Sequence, residues 1–193
     1  YTAEDVEMII QPMATQGKEP TFCMGDDIPL AVLSDKPRLL FDYFKQRFAQ
    51  VTNPPIDPLR ESLVMSLQMS LGERENLLVA TPEHAHMLQI KTPVLNHSEL
   101  DAVKNSGFAA TELSTLFSVA DGPQSLENAL KRLQTEAAEA VKAGNKILVL
   151  SDRAGEGINE ASSYIPPLLA VGTVHHHLIR EGLRMKASLV VDT

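Results

Sequence analysis

One short pattern occurs three times between Ser114 and Thr193, and it narrows the folds open to this chain. Thr115-Leu116-Phe117-Ser118-Val119-Ala120 runs into Asp121, Lys146-Ile147-Leu148-Val149-Leu150-Ser151 into Asp152, and Ser188-Leu189-Val190-Val191 into Asp192. Each is a short apolar run closed by an aspartate, and a helix-period segment separates each from the next. That alternation predicts parallel strands joined by helical crossovers. Strands in a parallel sheet are buried on both faces, so they read as unbroken apolar runs. The expected order is β-α-β-α-β with right-handed crossovers.

Both crossover helices are marked by their ends. Ser125 can cap the first, after the turn residues Asp121-Gly122-Pro123. Leu126, Ala129, Leu130, Leu133, Ala137, Ala140 and Val141 then keep helical spacing, and Gly144 offers a left-handed stop. The second helix begins near Pro166-Pro167 and ends at Gly182, with Leu168, Val171, Leu178 and Ile179 as its expected inner stripe.

The first third of the chain reads as helical. Thr2 can cap a helix carrying Val6, Ile9, Ile10 and Met13, and Thr15 to Leu30 reads as loop. Asp35 can cap a helix bearing Leu40, Phe44, Phe48 and Val51, which with Phe41 holds three of the six phenylalanines. The connector Thr52-Asn53-Pro54-Pro55-Ile56-Asp57-Pro58 is stiff, because proline fixes φ and removes backbone donors. Asp57 and Pro58 can open a helix through Leu59, Leu63, Val64 and Leu67. Leu77-Leu78-Val79 and Met87-Leu88-Gln89-Ile90 fit strand or helix equally, and Leu95 to Ser106 holds a short helix opened by Ser98. The division expected is a mainly helical portion over 1–70 and a parallel α/β portion over 71–193.

Composition excludes several classes. At 193 residues the chain can bury a core without staples. A net charge of −8 argues against a nucleic-acid partner, which needs a basic phosphate footprint. A single cysteine, Cys23, rules out disulfide frameworks, thiolate zinc sites and iron–sulfur ligation within the chain. No run approaches the roughly 20 apolar residues of a membrane span. The start at Tyr1 without methionine, and the stop just after a strand, suggest a piece of something longer.

Candidate chemistry is thin. Asp121, Asp152 and Asp192 fall at strand carboxyl ends, where parallel α/β folds bind ligands, but an aspartate there also caps turns. The Gly-x-Gly of Asp152 to Glu160 lacks a third glycine, and its carboxylates would repel a phosphate, so a surface loop fits better than a phosphate cradle. His175-His176-His177 lacks the i, i+3 or i+4 spacing of two ligands on one helix face. His175 instead lies on the inner stripe as a hydrogen-bonded core histidine. His84 and His86 have strand spacing with nothing to support a site. Cys23 has no local histidine to serve as base.

Several stretches resemble a known family. Leu30-Ala31-Val32-Leu33-Ser34-Asp35-Lys36-Pro37-Arg38-Leu39-Leu40 and the run from Asp42 to Glu61, Gln50-Val51-Thr52-Asn53-Pro54-Pro55-Ile56-Asp57-Pro58-Leu59-Arg60-Glu61 above all, resemble the central domain of glutamate synthase. So do Pro12-Met13-Ala14 followed by Gly17-Lys18-Glu19-Pro20, and Ile165-Pro166-Pro167-Leu168-Leu169-Ala170-Val171-Gly172. The wording is most similar to the ferredoxin-dependent type of cyanobacteria and plastids, with the NADPH-dependent large subunit as the alternative.

The resemblance implies that this domain joins a glutamine amidotransferase domain to an FMN-binding (β/α) barrel of the same polypeptide. Glutamine is hydrolysed on the first, ammonia travels through an internal tunnel, and 2-iminoglutarate formed from 2-oxoglutarate is reduced to glutamate on the second. It implies FMN and an iron–sulfur cluster for the whole enzyme and no cofactor in this chain. Ferredoxin or an NADPH-linked partner is engaged only through the whole enzyme, which is cytoplasmic or, in photosynthetic eukaryotes, in the plastid stroma. The departures are plain: residue 1 is Tyr1 and not a catalytic cysteine, and the flavin-domain motifs are lacking. The expectation is a connecting fragment that does no chemistry alone.

Within it, Thr52, Asn53, Pro54, Pro55 and Ile56 are the candidate tunnel and interdomain residues. Proline-rich backbone offers carbonyl acceptors to ammonia without competing donors. The bland alternative is a stiff linker. Two other readings remain: a free-standing α/β enzyme using the strand-end aspartates, and an interaction module docking through an apolar patch beside the Phe41–Phe48 helix.

Overall fold

The computed structural model describes residues 3–17, 40, 66–155 and 157–193. The chain falls into two compact units, Tyr1–Pro54 and Pro55–Thr193. In the first, helical segments Ala3–Asp5 and Gln11–Gln16 flank a π-helical stretch, Val6–Ile10. The wider π turn interrupts the 3.6-residue stripe, and Val6, Ile10 and Met13 are all exposed. Cys23, the Phe41–Phe48 helix, Thr52–Ile56 and the helix start at Asp57-Pro58 lie outside the described residues. Leu67, expected in that last helix, belongs to no helix and is exposed.

In chain order the second unit runs β1 (Met69–Leu71), β2 (Leu88–Ile90), α1 (His97–Lys104), β3 (Ala110–Ser114), β4 (Leu116–Ser118), α2 (Gln124–Lys142), β5 (Ile147–Ser151), β6 (Ser162–Tyr164), α3 (Pro167–Arg180) and β7 (Ser188–Asp192). Strands β3, β5 and β7 form a parallel sheet with β5 in the middle, Ile147 standing opposite both Ala110 and Ser188. β5 is buried along its whole length, as its unbroken apolar sequence requires.

Both crossover helices cover one face of this sheet. Leu133, Ala137 and Val141 of α2 and Val174 and Leu178 of α3 share a core with Leu113, Leu148 and Leu150. Strand order advances one way while both helices stay on one side, so the two connections share a single hand. This is the β-α-β-α-β order the repeat predicts, and the winding of a (β/α) barrel segment. The opposite face carries Ile147, Val149 and Val190, covered by the β1–β2 hairpin and by Leu100 and Val103 of α1. Gly144 (φ 95°) ends α2 as expected: its own N–H donates to the Val141 carbonyl and that of Asn145 to the Ala140 carbonyl, each at 3.0 Å.

Four expectations need correction. The first parallel strand is Ala110–Ser114 and not the apolar run Thr115–Ala120. That run bends away at Thr115, and Leu116–Ser118 pairs antiparallel with Ser162–Tyr164. Arg132 of α2 fixes the bend by donating to the carbonyls of Ser114 (3.0 Å) and Leu116 (2.9 Å). Second, Ser125 does not cap α2; it is buried and donates to the Ser118 carbonyl, and Pro123 holds the cap position. Third, the buried stripe of α3 is Ala170, Val174 and Leu178, while Leu168 and Ile179 are exposed. Fourth, α1 is capped by Asn96, whose side chain accepts from the Glu99 N–H while the Glu99 carboxylate accepts from the Asn96 N–H. Of the undecided stretches, Leu88–Ile90 is strand and Leu77-Leu78-Val79 lies in a turn.

Candidate functional site at the carboxyl ends of the strands

Two of the three strand-end aspartates come together. β5 and β7 run in register, which sets Ser151 beside Asp192 and leaves Asp152 and Thr193 just beyond them. The Ser151 hydroxyl is fully buried; it donates to Asp192 Oδ2 at 2.9 Å and accepts the Arg153 N–H at 3.1 Å. Thr193 Oγ1 donates to Asp152 Oδ2 at 2.6 Å, and the Asp152 N–H donates to the Asp192 carbonyl at 3.2 Å. Asp121 is elsewhere, exposed in the turn before α2, because its apolar run is not a strand of this sheet.

Arg153 binds the cluster together. Its Nε lies 3.6 Å from Asp192 Oδ1, one terminal nitrogen donates to the Thr193 carbonyl at 3.4 Å, and the other meets His97 Nε2. Clefts flank it on two sides. One, of about 610 Å³, runs past His97, Leu100, Leu189 and Val191; the other, of about 360 Å³, is bounded by Asp152, Gly155, Gly157 and Ile158. The sequence pointed to the carboxylates but missed Ser151, Arg153 and His97. A Ser-Asp-Arg triplet closing a buried strand was the available signal, since only the backbone pairing of β5 with β7 reveals its partners.

Chemically the cluster is a closed polar knot. Asp152 and Asp192 accept from fixed hydroxyls, and the Ser151 hydroxyl is committed to a carboxylate inside the fold. In the loop from Arg153, the N–H groups of Arg153 and Gly157 are not free for an anion, because they bond to Ser151 Oγ and the Ala154 carbonyl. Among the described residues, no three His, Cys, Asp or Glu side chains stand close enough to share a metal ion. No described helix is long and apolar enough to cross a membrane.

Among the other described histidines, His175 is hydrogen-bonded, while the Nε2 of His84 is buried with no hydrogen-bond partner. His175 Nδ1 accepts from Arg184 Nε at 2.8 Å, and Arg184 also donates to the Ala187 carbonyl at 2.7 Å. Partial burial first, then the Arg184 charge and that of His176, lower the His175 pKa below its ordinary value. The expected hydrogen bond is present, although His175 is only half-buried. His84 sits in a 3-10 turn, Pro82–Ala85, and His86 stacks against Phe108 at 4.9 Å, so strand spacing does not describe them.

The fold and this knot define a singly wound α/β domain whose strand ends are knitted by internal bonds. The sequence matches the glutamate synthase central domain over residues 1–193, and the chain belongs to that family. It is 64% identical over 194 residues to ferredoxin-dependent glutamate synthase 2 of Synechocystis sp., 57% over 195 to the chloroplastic ferredoxin-dependent enzyme of Oryza sativa subsp. japonica, and 54% over 193 to that of Pyropia yezoensis. Each match covers 100% of this chain and 12% of the relative. The family resemblance read from the Gln50-to-Glu61 run and its companions is therefore correct.

Proposed function

We propose that this chain is the connecting domain of a larger ferredoxin-dependent glutamate synthase. In this reading it joins the glutamine amidotransferase and FMN-binding domains of one polypeptide and supplies part of the ammonia tunnel between them. The complete enzyme converts L-glutamine, 2-oxoglutarate and reductant to two L-glutamate in the cytoplasm or plastid stroma. FMN and the iron–sulfur cluster belong to segments beyond these residues. The observation that carries the reading is the family match along the whole of residues 1–193. The knot at the strand ends supports it, because carboxylates that a free-standing enzyme would aim at a substrate are spent on Ser151, Thr193 and Arg153.

The tunnel role rests on Thr52, Asn53, Pro54, Pro55 and Ile56. Ammonia donates three hydrogen bonds and needs acceptors along its path, and the carbonyls of a proline-rich connector offer them without competing donors. The test replaces Asn53 by Trp in the complete polypeptide and compares glutamine hydrolysed with glutamate formed from 2-oxoglutarate. Hydrolysis should outrun synthesis as ammonia escapes. A variant that keeps strict one-to-one coupling removes the connector from the tunnel.

A further inference from the structure

The segment between β1 and the Pro82–Ala85 turn presents its apolar residues outward. Leu77, Leu78 and Val79 are 76%, 92% and 53% exposed. Single exposed hydrophobics are ordinary, but three in succession at a turn tip are not, since turns favour Gly, Asn, Asp, Ser and Pro. The tip is also held firmly. Gly72 exchanges two hydrogen bonds with the Ser188 hydroxyl, at 3.0 and 3.2 Å. The Arg74 N–H donates to the Met185 carbonyl at 2.8 Å, and Glu73 pairs with Lys146 at 3.2 Å. Asn76 then closes the turn, its side-chain oxygen accepting the Leu78 N–H and its carbonyl the Val79 N–H, both at 3.0 Å. An apolar tip fixed in advance loses little freedom when it docks, which is what a permanent contact selects.

We infer that Leu77, Leu78 and Val79 insert into an apolar, basic-rimmed pocket on another domain of the same polypeptide. The inference rests on the connecting-domain reading, in which most of the polypeptide lies outside a chain spanning 12% of its relatives. Charge favours this occupant over two others. The exposed flanks carry Glu75 and Glu83 against the single cation Arg74 and are net negative, which opposes an anionic lipid surface. A second copy of a chain carrying −8 would meet like charge.

The test places a cysteine at the tip, Leu78→Cys, in the complete polypeptide and couples it to a short maleimide photo-crosslinker. Leu78 supports nothing in the fold, so the variant folds. Illumination should give intramolecular crosslinks to peptides outside residues 1–193, found by mass spectrometry. In the dark, thiol labelling of that cysteine should be at least ~tenfold slower than in the urea-unfolded chain, the ratio expected when about 1.4 kcal/mol holds the contact closed. Crosslinks confined to residues 1–193, crosslinked dimers on a denaturing gel, capture by anionic vesicles, or labelling as fast as in the unfolded chain would each overturn the inference. If the last occurs while glutamine still feeds glutamate synthesis, the docking claim alone fails. If the purified native protein has an intact mass of only 21.1 kDa, the connecting-domain reading fails with it.

Discussion

Leu178 and Ile179 stand side by side in α3, yet one is fully buried and the other half exposed. Truncating Leu178 to Ala removes three carbons from the core that α3 shares with α2 and the sheet. At about 0.8 kcal/mol per carbon the transfer loss is about 2.4 kcal/mol. The space left beneath Val174 and Leu148 cannot close fully, because β5 is held by neighbours on both edges. The total should therefore reach about 3–5 kcal/mol. Ile179→Ala gives up atoms already half in water and should cost about 1 kcal/mol or less. Because a multidomain polypeptide has no single unfolding free energy, the assay is hydrogen exchange at the β5 amides, which reports opening of this core. Leu178→Ala should accelerate that exchange by roughly 10² to 10³·⁵, and Ile179→Ala by about fivefold at most. Equal acceleration by the two, or a larger effect at Ile179, would show that α3 buries a different stripe.

The polar knot and the His175 contact can be probed in the same way. Ser151→Ala strips Asp192 of a buried donor and Arg153 of an N–H acceptor. It should cost about 1–3 kcal/mol, read as faster exchange in β5 and β7, and unchanged exchange would mean the knot holds nothing. For His175 the folded pKa lies below its ordinary 6.5, so on acidification the unfolded chain takes up the proton first. Stability is then full above about pH 6.5 and declines as the pH falls below it. Hydrogen exchange at the α3 and β7 amides, corrected for its intrinsic pH dependence, should show this core opening more readily at about pH 5 than at about pH 7.5. The decline should be smaller in His175→Gln, whose amide oxygen can still accept from Arg184. Identical declines would remove His175 as a source of the acid sensitivity.

The parts that were legible in the sequence are those where one physical demand dominates. β5 is covered on both faces and both edges, so Ile147-Leu148-Val149-Leu150 could be nothing but apolar. Gly144 and Gly182 both adopt positive φ after a helix, where other residues are strained. β3 was missed because its sequence is mixed: Glu112 is exposed, Ala110, Thr111 and Ser114 are half-buried, and only Leu113 is deeply buried. The run beside it is more apolar, but it pairs outside the parallel sheet, and from there Phe117 packs against the core. In α3, Leu168, Leu169, Val171, Val174, Leu178 and Ile179 surround the helix, so periodicity alone leaves its phase open. The strand-end knot depends on register between residues 41 apart in the chain, which no local pattern encodes.

The β4–β6 ladder has a consequence for how this domain can vary. The chain leaving β3 and the chain leaving β5 are stitched to each other through Leu116, Phe117 and Ser118 against Ser162, Ser163 and Tyr164. They are clasped again where Ile165 donates to the Thr115 carbonyl. In most parallel folds such connections lengthen or shorten one at a time. Here a residue added within Leu116–Ser118 or within Ser162–Tyr164 would slide the ladder by one step and turn the side chains beyond it to the opposite side. The two segments are thus tied as a hem is tied to its lining, and only matched changes in both would leave the seam intact.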